Sequence, residues 1–287
     1  MKKLLILFSL LTFLIIGCGN SAESGNKTNE KTGNSKKFKI GITQIASHPA
    51  LDNARKGFED AFKEAGVDAD FDEKNANGET ANANLIANNF ASSKVDLIYA
   101  IATSTAQTAV QSTSSIPIVF AAITDPESAG ILKPNVTGVS DRMDVSEQMK
   151  LLKRLDDKIK SVGVIYNSSE PNSKVQVEDL KKAAAPLGLT IVEKSVTQAN
   201  EIPQTVDNLT READAIYLPT DNLVASIANL ITEKAANAKK IVFGAEAAHV
   251  EKGALITQGV SYYEIGKEEK PSCLYPQSKQ SDSRWRH

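Results

Sequence analysis

A chain of 287 residues is longer than one ordinary domain needs. Its 41% hydrophobic and 24% charged residues are the composition of a folded protein, not of a disordered one. The 33 basic and 35 acidic side chains nearly cancel, so no global field draws the chain to nucleic acid or anionic lipid, and nucleic acid is not expected as a partner.

Residues 1–18 read as a targeting segment. Lys2 and Lys3 form a positive start, and the apolar stretch that follows is too short to span a bilayer as a stable helix. It ends Ile15-Ile16-Gly17-Cys18, which resembles a lipobox, where signal peptidase II cuts before a cysteine whose thiol carries diacylglycerol. Cys18 is thus the expected lipidated N-terminus, and an ordinary secretory signal that contains a cysteine is the alternative. Residues 19–37 are polar without apolar periodicity and read as a flexible tether. The expected location is the outer face of the cell membrane, or its periplasmic face, with the membrane engaged through the lipid anchor only. Cys273 is the one other cysteine, so no disulfide framework is expected.

After the tether, β-branched runs alternate with helical stretches, the pattern of βαβ units around a parallel sheet. Residues 38–45 read as a strand, 49–65 and 79–93 as helices, 95–102 as a strand apolar on both faces, 103–113 as a helix and 116–122 as a strand. Residues 124–144, with Pro126, Gly130, Pro134 and Gly138, lack a helical pattern and read as the hinge or crossover that joins two lobes. The second half then repeats the first. Lys39-Ile40-Gly41-Ile42 answers to Ser161-Val162-Gly163-Val164, Val95-Asp96-Leu97-Ile98-Tyr99 to Ala213-Asp214-Ala215-Ile216-Tyr217, and Ile118-Val119-Phe120-Ala121 to Ile241-Val242-Phe243-Gly244, at offsets of 122, 118 and 123. The expected fold class is α/β: two similar doubly wound parallel-sheet lobes, 38–123 and 145–266, joined by a hinge. Two unrelated α/β domains are the alternative. Residues 267–287 have no amphipathic period and read as an anomalous ending, truncated or frameshifted, that makes no native contacts.

Several motifs carry a resemblance when taken in order: Gly41-Ile42-Thr43-Gln44-Ile45 with His48-Pro49-Ala50-Leu51-Asp52, Ala100-Ile101-Ala102-Thr103, Thr124-Asp125-Pro126, Asn135-Val136-Thr137-Gly138-Val139-Ser140, Tyr166-Asn167-Ser168-Ser169-Glu170-Pro171-Asn172-Ser173, and Pro219-Thr220-Asp221-Asn222. Over about residues 37–266 the chain resembles the tryptophan/tyrosine-type substrate-binding proteins of ABC importers. The resemblance implies a periplasmic-binding-protein type I fold, an aromatic amino acid as the small-molecule ligand, and an ABC permease and its ATPase as partners. From the residues themselves, a branched-chain amino acid or a small sugar stays open, as does a sensory lipoprotein of the same fold.

In open parallel sheets ligands bind beyond the carboxyl ends of the strands, and this rule selects the candidate residues. Thr103 and Ser104 start a helix whose N-terminus suits a carboxylate, or Thr103 is simply a cap. Asp221, with Asn222 after it, is a candidate for an ammonium, or caps the helix read over 222–236. Thr124 and Asp125 follow a strand, and Asp125 before Pro126 also suits a turn. Asn167, Ser169, Glu170, Asn172 and Ser173 crowd one loop that could close over a ligand, and Gln44 and Glu246 complete the set. The histidines His48, His249 and His287 are scattered, and no metal-ligand spacing, phosphate cradle or nucleophile-base pair appears. No cofactor, no metal and no catalysis are expected.

Overall fold

The computed structural model describes residues 36–269, 271–274 and 285–286. The leader, Cys18 and most of the tether lie outside them. The first lobe opens with β1 (Phe38–Gln44), α1 (Pro49–Glu64), β2 (Ala69–Asn75), α2 (Thr80–Ser93), β3 (Leu97–Ile101), α3 (Thr103–Ser112), β4 (Ile118–Ile123) and β5 (Val136–Ser140). The second contains α4 (Val145–Leu155), β6 (Ser161–Asn167), α5 (Pro171–Ala184), β7 (Thr190–Val196), α6 (Ile202–Glu212), β8 (Ala215–Leu218), α7 (Asn222–Ser226), α8 (Ala228–Asn237), β9 (Ile241–Gly244), α9 (Ala247–Glu251) and β10 (Ile256–Thr257). The chain then returns to the first lobe as α10 (Tyr262–Glu268), and β11 (Trp285–Arg286) pairs with β5.

The strand order is β11-β5-β4-β3-β1-β2 in one sheet and β10-β9-β8-β6-β7 in the other, and every pairing is parallel. Apart from β11 the two orders are the same when β1 is matched to β6 and its successors in turn, so the internal repeat is a repeat of topology. The repeated residues also do the same work. Asp96 Oδ2 accepts from Lys39 N and Asp214 Oδ2 from Ser161 N, both at 2.9 Å, which fastens the first strand of each lobe to its third. Tyr99 and Tyr217 are fully buried; Tyr99 stacks on Phe58 with centroids 3.9 Å apart. Each sheet buries apolar clusters on both faces, as the near-continuous hydrophobic strands require.

Three local readings change. Residues 136–140, inside the segment read as the joining stretch, form β5, because Gly138 lets that strand lie against Phe120; an added Cβ there would stand 2.3 Å from the Phe120 carbonyl oxygen. The crossings themselves are the short segments 141–144 and 258–261. The helix read over 222–236 is broken at Ile227, whose φ of −118° and ψ of 13° are not helical. The segment beginning at Lys267 also makes contacts: Lys267 pairs with Glu64 at 2.8 Å, Glu269 is buried, and Cys273 packs on the first lobe's core.

Candidate functional site

The carboxyl ends of both sheets face a common cleft. Its cavity, of about 10 Å³, is lined by Thr124, Asn172, Asp221, Asn222 and Glu246 from the sequence-derived set, and also by His48, Leu51, Ala122, Asp141, Thr220 and Tyr262. The lobes touch across it. His48, the residue before α1, lies 3.1 Å through Nε2 from Asn222 Oδ1 at the start of α7, and Ala248 of α9 packs into the first lobe's core. Two alanines at this end of the first sheet, Ala102 after β3 and Ala122 within β4, have φ of +87° and +58°. Left-handed backbone at residues other than glycine is uncommon and concentrates where a binding site over-determines the chain.

Carboxylates dominate the cleft. Asp221 caps α7: Oδ1 accepts from Val224 N at 2.9 Å, and Oδ2 accepts from Asn167 N and from the Ser173 hydroxyl, both at 2.6 Å. Burial and then the neighbouring Glu170 push its carboxyl above the usual range, while those three donors resist the shift. Glu170 is gathered against the same helix start. Its Oε2 accepts from Asn222 N at 3.0 Å and Asn222 Nδ2 at 2.6 Å, and its Oε1 from Leu223 N at 3.2 Å. Asp141, in the first crossing, accepts from Thr124 Oγ1 at 2.9 Å and from the Tyr262 hydroxyl at 2.8 Å, so it ties both crossings together; burial raises its carboxyl.

Glu246 differs. It is 1% exposed, its Oε1 has no hydrogen-bond partner among the described residues, and His249 Nε2 stands 3.5 Å away. Burial, followed by the charge of Asp141, pushes its carboxyl up to about 8. His249 itself is pressed down to about 3 by burial, so no cation is built in beside Glu246. A buried carboxyl group with an unused oxygen, among other acids, suits an incoming ammonium group.

The remaining candidates separate. Thr103 is buried, and its hydroxyl finds no partner among the described residues; it stands at the first turn of α3, where a helix leaves backbone N–H groups for an anion, and Ser104 beside it is half-buried. Gln44 donates to the Ala46 carbonyl and to Asp52 Oδ1, at 2.6 and 2.7 Å. Asp125 accepts from Ser128 N at 3.0 Å and pairs with Arg142, the turn-forming role. Asn167 and Ser173 serve Asp221, and Ser169 is exposed. Of the residues the strand-end rule does not select, Asp141 follows β5 directly and is missed because that strand is not recognised. His48 and Thr220 lie within motifs quoted for the resemblance, whereas Tyr262 arrives from far along the chain and carries no local signal.

Two lobes of one topology with a polar cleft between their strand ends define a periplasmic-binding-protein type I fold. The family model for ABC transporter substrate binding proteins matches residues 39–270, and the chain belongs to that family. It is 39% identical over 265 residues to a tyrosine-binding protein of Clostridioides difficile (strain R20291), covering 88% of this chain and 76% of that one. A crystal structure of the ABC domain in complex with L-Trp from Streptococcus pneumonia is 35% identical with a TM-score of 0.78, covering 81% of this chain and 82% of that one. A ligand-free, open substrate-binding protein with adhesive properties from Clostridium difficile is 41% identical with a TM-score of 0.59, covering 83% and 88%. The arrangement described here is therefore nearer to the tryptophan complex than to the open form, although the open protein is closer in sequence.

Proposed function

We propose that this protein captures an aromatic amino acid, tyrosine or tryptophan, between its lobes and delivers it to the permease of an ABC importer, whose ATPase supplies the energy. One observation carries the choice of a zwitterion: Glu246 offers an unpartnered buried oxygen in the cleft, while the start of α3 offers N–H groups and the Thr103 hydroxyl to a carboxylate. The relatives named for tyrosine and bound to L-Trp support the aromatic side chain. No step of bond-making is assigned to the cleft, since its acids are committed to caps, to the crossings or to the ligand's charge. Proteins of this class work outside the cytoplasmic membrane, and lipidation at Cys18 would hold this one there.

Thermal unfolding of the chain without residues 1–18 tests the reading against all twenty amino acids and common sugars. A ligand bound only by the folded state adds about 2.7 kcal/mol at a hundred times its Kd, so L-tyrosine or L-tryptophan is expected to raise the midpoint by several degrees. A shift from a sugar or from a branched-chain amino acid alone overturns the assignment. Labelling cells with a tagged fatty acid tests the anchor: Cys18→Ala is expected to lose the label, and an undiminished label rejects the lipoprotein reading.

A further inference from the structure

Glu170, Asn222 and His48 form a relay whose hydrogen positions are fixed by chemistry. Glu170 receives backbone N–H groups from Asn222 and Leu223 at the start of α7, and Asn172 Nδ2 at 3.1 Å, so it is an acceptor toward every one of these neighbours. The Asn222 side chain reaches the same carboxyl at 2.6 Å, which only its NH₂ group can do without setting oxygen against oxygen. The amide is thereby oriented with Oδ1 toward His48, 3.1 Å from Nε2. An oxygen with no hydrogen requires the proton to be on Nε2. Burial lowers the His48 pKa below its ordinary value, so the ring is held neutral. In that tautomer Nδ1 is a bare lone pair, and it is buried with no partner among the described residues.

We infer that His48, through Nδ1, is a specificity-determining residue of the cleft: it accepts a hydrogen bond from the ligand's ring, the phenol O–H of tyrosine or the indole N–H of tryptophan, and so disfavours phenylalanine. The inference rests on the aromatic amino acid reading above. It follows from what that reading leaves over. The carboxylate has the start of α3 and the ammonium has Glu246, so the ring donor is the one polar group of such a ligand to which that reading assigns no partner. His48 lines the cavity beside Leu51 and Ala122, the two aliphatic side chains among its lining residues, so acceptor and apolar wall lie together. A ligand ring without a donor leaves Nδ1 buried and unpaired, and sites that hydrogen-bond a ligand group reject the analogue lacking it more strongly than they sense a missing methylene.

Titration calorimetry on the whole folded chain compares two matched pairs: L-tyrosine with L-phenylalanine, and L-tryptophan with its benzothienyl analogue, in which sulfur replaces the indole N–H at nearly the same shape. For whichever parent binds, the donor-bearing ligand is expected to be preferred by at least about tenfold. His48→Phe is expected to bring the ratio to within about threefold. Because that variant also loses the contact to Asn222, ¹⁵N NMR of the unsubstituted protein supplies a second readout. His48 is expected as the Nε2-protonated neutral tautomer near pH 7, with the Nδ1 resonance shifting when the donor-bearing ligand binds but not with phenylalanine. Equal affinities within both pairs, or a proton found on Nδ1, overturns this inference and leaves the proposed function standing. Failure of every aromatic amino acid to bind overturns the proposed function, and the inference with it.

Discussion

At the scale of residues, the cleft separates acids whose oxygens are all met by internal donors from Glu246, whose Oε1 finds no partner among the described residues. Asp221 spends both oxygens on three internal donors, so Asp221→Asn, which turns one acceptor into a donor facing other donors, is expected to cost about 1 to 3 kcal/mol in urea unfolding and to leave ligand affinity within about threefold. Glu246→Gln is expected to act the other way, weakening amino-acid binding at least about a hundredfold, or about 2.7 kcal/mol, with the fold retained. Its titration gives the pH dependence. Glu246 has a folded-state pKa of about 8, raised from an ordinary value of 4.5, so the folded state holds the proton. The stability this contributes is complete below about pH 4.5 and is lost as pH rises through about 8. The melting temperature of the ligand-free protein is therefore expected to fall between pH 5 and 8.5, and less steeply in Glu246→Gln. An ammonium group pairs with the carboxylate and not with the acid, so affinity is expected to rise over pH 6 to 8, by at most about tenfold per unit. A flat affinity profile in calorimetry would remove Glu246 from the ammonium site.

At the scale of elements, the return of the chain to the first lobe depends on two glycines. Helices α1 and α10 approach so closely that an added Cβ at Gly266 would stand 2.0 Å from the Ala54 carbonyl oxygen, and one at Gly57 2.0 Å from that of Tyr263. Backbone cannot yield as a flexible side chain can. Gly266→Ala is thus expected to lose about 1 to 3 kcal/mol through forced separation of the helices, a loss larger than the gain of about 1 kcal/mol in helix propensity. A lower urea midpoint at unchanged slope checks this, and an unchanged or raised midpoint rejects the close crossing. The same element carries Tyr262 to Asp141, so a shifted α10 would also slacken the tie between the two crossings.

At the scale of the whole molecule, the cavity of about 10 Å³ has room for about one water molecule, far less than an aromatic amino acid occupies. Ligand entry therefore requires the lobes to part about the segments 141–144 and 258–261, which breaks the His48–Asn222 contact and withdraws α9 from the first lobe. Small-angle X-ray scattering at pH 8.5, where Glu246 loses its proton and the closed cleft gathers unpaired charge, is expected to show a larger radius of gyration without ligand than with saturating L-tyrosine or L-tryptophan, as in hinge closure. An identical radius in both states would show that the ligand enters by side-chain movement alone.

The α/β class and the two-lobe repeat were legible in the sequence. They depend on local signals: apolar strands, helical periods, and a strand-Asp-Tyr pattern that recurs because Asp96 and Asp214 make the same hydrogen bonds. Strand ends also pointed to Thr124, Asn172, Asp221, Asn222 and Glu246, all of which line the cavity. What each of them does was not legible. Whether a buried carboxyl group is a cap or is left for a ligand depends on how many donors meet it, and those donors come from distant segments: Ser173 to Asp221 across 48 residues, Tyr262 to Asp141 across 121. The placement of residues 262–269 and 271–274 on the first lobe was hidden for the same reason, since the buried face of α10, Tyr262, Ile265 and Gly266, is only a turn or two long and is seated by the fit of Gly57 against Gly266. Local periodicity settles which elements form and how the two halves correspond; only tertiary packing decides which polar groups are satisfied and which, like Glu246 Oε1, Thr103 Oγ1 and His48 Nδ1 among the described residues, are not.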